Sequence, residues 1–382
     1  MPVTLIEVQR IPTSGARAVE PVRVGGRDLL AVPQLAKDIP DGPPGMNGGD
    51  SDTELLLLNR GRLRGSFEPW ATLPAPGGED AEFFTIGDRS FLAVASIRTG
   101  AGPYEFRTTS TIFEWQGDRF APFQQVPTFA AKQWKYWQIG DRHFLGLAQG
   151  LVFPSGQAGQ AGQAGQANAV NRDSVVYEWN GESFAEFQQI PSRWCYNWHA
   201  FAAGGEFFVA RAEHAGPSLL YRWDGTRLEP HQVLAAGSGR AFATLDDGGD
   251  TYLVVACISA PTRVLRLADG RFTETQVLDG LGGRELAVAR CGGRTFLIRV
   301  NFILGTPADP QPALDSQVYE WDGGKLHEVA TFPTCGGTDV AILTSGDDGN
   351  ADPVEVIVTN SLTPDLRFAA ETVRYELSVG GR

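Results

Sequence analysis

Cysteine, methionine and histidine are scarce in this chain of 382 residues, which holds four, two and five of them. The four cysteines, Cys195, Cys257, Cys291 and Cys335, stand far apart without metal-type spacing, so neither a zinc ribbon nor a disulfide scaffold is expected. Free thiols and a reducing, cytoplasmic setting are the expectation. An excess of basic residues is also lacking. The formal net charge is −13, which argues against nucleic-acid binding, since that wants a basic stripe. No apolar run approaches the ~20 residues of a membrane helix, so no membrane contact is expected. The opening MPVTLIEVQRIPT has neither a charged leader nor an apolar stretch and does not read as a secretion signal. Helical periodicity is nearly absent, while 46 glycines and 24 prolines punctuate the chain at strand-and-turn intervals. Nucleophile elbows, zinc motifs, phosphate loops and dinucleotide fingerprints are missing as well.

The chain instead repeats itself. It reads IFEWQGDRFAPFQQVPT from Ile112, VYEWNGESFAEFQQIPS from Val176, LYRWDGTRLEPHQVL from Leu220 and VYEWDGGKLHEVATFPT from Val318. Weaker copies start at Leu55 and Arg263. Trp179 to Trp223 is 44 residues, as is Trp223 to its counterpart Leu267, while other intervals carry added length. Each copy is followed by a second hairpin-like run, such as WKYWQIGDRHFLGLAQ from Trp134. Four short strands in such a unit make a propeller blade.

With strands labelled A to D from the channel outward, seven A–B pairs are found. They start near Arg17, Asp80, Gln133, Asn197, Arg240, Glu285 and Asp339. The seventh unit has a C strand from Thr372 but no D strand after it. The missing strand is LIEVQRIPT from Leu5, which ends as the D strands do. The chain is therefore expected to be all-β: one seven-bladed propeller domain over residues 1–382, its N-terminal strand completing the last blade.

The pattern Y-x-W-x-G, F-x-x-x-Q-x-I-P-T and W-x-x-F-x-I-G-x-x-x-F-L resembles the EAR, or epitempin (EPTP), repeat. The resemblance covers essentially the whole chain, strongly in blades 2, 3 and 4 and in degenerate form in blades 1, 5 and 6. It implies a seven-bladed propeller of a kind found in secreted neuronal proteins and in diverse bacterial proteins. The better-known members are protein-recognition domains, and members can hold calcium in the channel. The abundance of Arg over Lys, with much Ala and Gly, suits a GC-rich bacterial genome.

Extra length gathers in the B–C loops of blades 1, 2, 3, 6 and 7, while the A–B and C–D turns read as short. Five consecutive blades would thus wall one face and leave it open over blades 4 and 5. Function commonly sits on such loops. The stretch SGQAGQAGQAGQAN from Ser155, in the blade 3 loop, reads as a flexible loop. On the same face the first A-strand residues, Arg17, Asp80, Gln133, Asn197, Arg240, Glu285 (or Arg284) and Asp339, form a polar ring of mixed sign. Asp80, Glu285 and Asp339 are the candidate calcium ligands, because hard cations take carboxylate oxygens. Trp134 and Trp198 are expected in the core, and Trp115, Trp179, Trp223 and Trp321 between blades. Trp194, Tyr196 and His199 are less expected, and Trp194 and Tyr196 are placed on a loop beside the open sector, where they could stack a ligand. His214 beside Glu213 makes a weak acid–base candidate.

Two functions compete. One is a non-catalytic binding module, gripping a protein, glycan or small molecule as a monomer. The other is a bacterial propeller enzyme of secondary metabolism acting on a small molecule in the channel-mouth funnel.

Overall fold

A computed structural model describes residues 2–61, 65–152, 172–306, 309–343 and 351–380. It shows seven antiparallel four-stranded sheets arranged as blades, and no helix among the described residues. The innermost A strands are Glu20–Val24, Gly78–Ile86, Gln133–Ile139, Cys195–Ala203, Gly239–Asp247, Gly283–Cys291 and Gly337–Leu343. Blade 7 closes as expected. Its outermost strand is Val3–Pro12, paired antiparallel with Glu371–Val379 from Val3 opposite Val379 to Pro12 opposite Glu371.

The repeat motif is a folding instruction. In the tight C–D turns, Asn180, Asp224 and Asp322 each accept backbone N–H groups two and three residues on. The following Gly181, Gly225 and Gly323 take the left-handed backbone that a side chain would resist. In five of the seven blades a glutamine of the D strand reaches the next blade. Gln188 Nε2 donates to the Leu228 carbonyl (2.8 Å) while its Oε1 accepts the Leu228 N–H (3.0 Å). Gln9, Gln124, Gln232 and Gln276 make the same pair of hydrogen bonds to Phe67, Phe184, Phe272 and Leu326. Blades 1 and 6 carry Ala71 and Ala330 at that register position.

One hydrophobic core lies between each pair of neighbouring blades. The B strands are covered on both faces, which is why Tyr252–Cys257 is a continuous apolar run rather than an alternating one. Trp134 and Trp198 are fully buried, and burying such side chains contributes about 1.5–3 kcal/mol each. Trp179 and Trp223 cap arginine stacks: Arg89 lies over Phe91, Phe123 and Trp179, and Arg142 over Phe144, Phe187 and Trp223. Cys195, Cys257, Cys291 and Cys335 are free thiols.

The B–C loops follow the expected order, long in blades 1, 2, 3, 6 and 7 and short in blades 4 and 5. One correction applies on the opposite face. The A–B connection of blade 7 runs from Leu343 to Val354 and is long, not short. The Gly-Gln-Ala stretch falls at 153–171, outside the described residues.

Candidate functional site: the channel mouth

Most A strands begin with a bulge. Gly78 pairs with Ser96 and Asp80 with Ala95, which leaves Glu79 between them unpaired. The same happens at Arg240, Arg284 and Thr338. A bulge re-aims side chains, and here it presents two consecutive residues to the channel. Glu79 and Asp80, Arg284 and Glu285, and Thr338 and Asp339 all line its cavity of about 380 Å³. Glycine precedes these bulges where a Cβ would crowd its neighbours: at Gly239 it would meet the Ser218 hydroxyl at 2.2 Å, and at Gly337 the Asn301 carbonyl at 2.7 Å.

The expected single ring is therefore two stacked rings. The upper one, at the mouth, holds Arg17, Glu79, Lys132, Tyr196, Arg240, Arg284 and Thr338. The lower one holds Asp80, Gln133, Asn197, Glu285 and Asp339, with Ala18 and Ala241 filling the remaining places.

The lower ring binds blade to blade. Asp339 accepts the Val19 N–H (2.7 Å), Asp80 the Trp134 N–H (2.9 Å) and Gln133 the Trp198 N–H (2.6 Å). Asn197 donates across the channel to Glu285 (2.8 Å). Burial and then the Asp339 charge push Glu285 up to about 8. Burial also raises Asp80, helped by Glu82, and Asp339. A third level lies below, where Lys135 pairs with Glu82 (2.9 Å) and Glu20 accepts the Phe83 N–H. His199 stands at this level with its Nε2 buried and unpartnered among the described residues. Burial, then Lys135, lowers it to about 4, so it is neutral.

Among the described residues no three carboxylate, imidazole or thiol groups converge closely enough to hold an ion. Both Asp339 oxygens already accept backbone N–H groups, and Glu285 is engaged by Asn197 and by the Leu286 N–H.

The upper ring is cationic. Arg17 makes a two-point ion pair with Glu79 (2.9 and 2.7 Å), and Arg284 reaches the same carboxylate at 3.5 Å. Burial works against the Glu79 charge, but Arg17, Lys132 and Arg284 hold it below the ordinary carboxylate range. Tyr196 sits among the other cations, its ring centre 3.9 Å from Arg240, 5.0 Å from Arg284 and 5.7 Å from Lys132. Burial alone would raise its hydroxyl, yet Arg240, Lys132 and Arg284 bring it below its usual value. Tyr196 thus belongs to the A strand and the ring, which corrects its placement on a loop. Trp194 stands just outside, half-buried, with its ring 6.3 Å from Tyr196 and edge-on to His214 at 4.5 Å. His214 accepts from Arg240 (3.0 Å), and burial, then Arg240, lowers it to about 4. Glu213 is buried and spends its carboxylate on the Arg193 and Trp194 N–H groups, so no acid–base pair with His214 forms.

Around the mouth the long loops interlock. Leu35, Ala36 and Met46 of blade 1 pack with Ile97 of blade 2, Ile303 of blade 6 and Leu362, Leu366 and Phe368 of blade 7. Ile97 continues into a second cluster with Tyr104, Phe106 and Leu151, which reaches blade 3. Polar ties lock this collar: Arg98 to Ser51, Asn47 and Met46, Asp38 to the Phe368 N–H, and Arg367 to the Gly42 carbonyl.

Seven blades, a collared mouth and the reciprocal glutamines carry one repeat signature, and the EPTP domain pattern matches at residues 5–50, 66–116, 119–180 and 183–224. The chain belongs to the EPTP family. The thrombospondin-type laminin G domain and EAR repeat-containing proteins of Homo sapiens and Mus musculus are similar to it. Each is 28% identical, over 150 residues (38% of this chain) and 152 residues (39%) respectively. The aligned part is 20% of each relative's length, so the chain spans a small share of these EAR-repeat proteins. The EPTP matches end at residue 224, yet blades 5 to 7 have the same four-stranded construction. Glu79 and Lys132 escaped the sequence reading, which placed only one residue per blade at the mouth. The recurring glycine before a polar pair, as in Gly-Glu-Asp and Gly-Arg-Glu, was the available signal.

Proposed function

We propose that this EPTP propeller is a non-catalytic interaction module that receives a protein partner on its collared face. The observation that carries the reading is the collar. Its loops are cross-tied by side chains and have their own apolar clusters, so a partner would meet a surface already ordered and the cost of ordering loops on binding is small. The sector over blades 4 and 5 stays open, and Trp194 and Tyr196 stand at its inner edge. Aromatic side chains in such positions commonly anchor partners. The family supports the reading, since EAR-repeat propellers point to protein interaction. The raised carboxylates of the channel would suit an enzyme, but Asp80 and Asp339 of the lower ring and Glu20 below it each hold a backbone N–H of the next blade, a structural task.

The test compares two faces. Cross-linking capture would be run with the native chain, with Trp194→Ala, and with Glu182→Lys in a C–D turn of the opposite face. The reading expects one protein recovered by the native chain and by the turn variant, and lost with Trp194→Ala while the melting temperature is kept. Loss with the turn variant alone would move the interface to the other face and sink the proposal.

A further inference from the structure

The upper ring carries more positive charge than the molecule around it can use. Four cations, Arg17, Lys132, Arg240 and Arg284, gather around Tyr196 and Glu79, and only Arg17 and Arg284 pair with the Glu79 carboxylate. The four cations and Glu79 are all nine-tenths or more buried, in a chain whose net charge is strongly negative. Buried cations without counter-charges are costly, and burial of such groups normally comes with pairing.

The hydrogen-bond capacity of the ring is also unspent. Nη1 of Arg17 and both Nε and Nη1 of Arg284 are buried without an acceptor among the described residues. The Lys132 ammonium lies over the Tyr196 ring but has no hydrogen bond or ion pair among the described residues, and burial lowers it to about 8. Arg17, Lys132 and Arg284 all line the channel cavity. Glu285 and Asp339 lie one level below Arg284 but are committed to Asn197 and backbone partners. The unused donors therefore point to a ligand supplied from outside the chain.

We propose that the channel mouth is a binding site for a small, multiply charged oxyanion, held by Arg17, Lys132 and Arg284 with Arg240 behind Tyr196. Guanidinium and ammonium groups together favour the oxygen-rich anions of phosphate chemistry, through short charge-assisted hydrogen bonds. A tetrahedral oxyanion has oxygens enough to meet donors arriving from blades 1, 3 and 6. Glu79 holds Arg17 and Arg284 side by side and keeps the ring from being wholly repulsive. The Tyr196 ring lies against Arg240, Arg284 and Lys132. This site does not depend on the partner reading above, because it lies inside the channel and the collar lies outside it.

The experiment uses the full chain in chloride buffer of fixed ionic strength, with inorganic phosphate as the probe. Binding is read by calorimetry and by the melting temperature. The native chain is expected to bind phosphate saturably and to gain stability with dose, as any native-state ligand requires. Lys132→Met is expected to weaken binding about tenfold or more. The same variant removes an unpaired buried charge, so without phosphate it is expected to melt above the native chain. That gain separates a lost binding group from a damaged fold. Arg284→Gln supplies a second loss of affinity. The proposal is overturned if phosphate stabilises the native chain no more than chloride does. It is equally overturned if Lys132→Met binds phosphate as the native chain does.

Discussion

Glu285 shows how one residue can make stability depend on pH. Its carboxyl is buried beside Asp339, so in the folded chain it keeps its proton up to about pH 8, against an ordinary value of 4.5. The folded state then binds the extra proton between those values. The resulting stability is fully present below about pH 4.5 and is lost as pH rises through about 8. Urea unfolding followed across that window should show the midpoint falling with rising pH, by at most about 1.4 kcal/mol per unit from this group. Glu285→Gln keeps a neutral acceptor for Asn197 and should flatten part of the slope. Asp80 and Asp339 retain their own share. An unchanged slope in the variant would show that the lower ring does not titrate as its burial implies.

At the scale of elements, the reciprocal glutamines explain why blades of such different sequence hold one spacing. Each ties the start of a neighbour's D strand through both its N–H and its carbonyl. Gln188→Ala would leave Leu228 without either partner and should cost about 1–3 kcal/mol, measured by chemical denaturation. Ala71 and Ala330 mark junctions that already lack the tie, and substitution to glycine or serine there should cost far less of this kind. Equal losses at Gln188 and Ala330 would mean that the side-chain amide is not what joins the blades. The motif made this element legible, since the glutamine recurs at the same place in five of the seven D strands. Its partner was not legible, because that partner lies about forty to sixty residues away on another blade.

For the whole molecule, closure is the decisive feature. Val3–Pro12 covers Glu371–Val379, and its Val3, Leu5 and Ile11 pack into the cores on both sides of blade 7. Deleting residues 1–12 should expose the backbone edge of Glu371–Val379 and turn the chain toward aggregation, read by light scattering. A synthetic peptide of those residues should restore solubility by pairing with that edge. A truncated chain that stays monomeric with native melting would show that the ring holds without closure.

The repeat was readable without coordinates because turns, alternating strands and D-strand glutamines are local chemistry, set by residues a few positions apart. Blade number, the role of the first strand and the face carrying the long loops all followed from it. The charge order of the mouth did not. Arg17, Glu79, Lys132 and Arg284 come from four blades, separated by up to 267 positions between Arg17 and Arg284. Whether such residues oppose, pair or share a partner depends on bulges that turn two side chains per strand into the channel and on the radius at which seven blades meet. Those are properties of the closed ring, and short-range sequence patterns do not encode them.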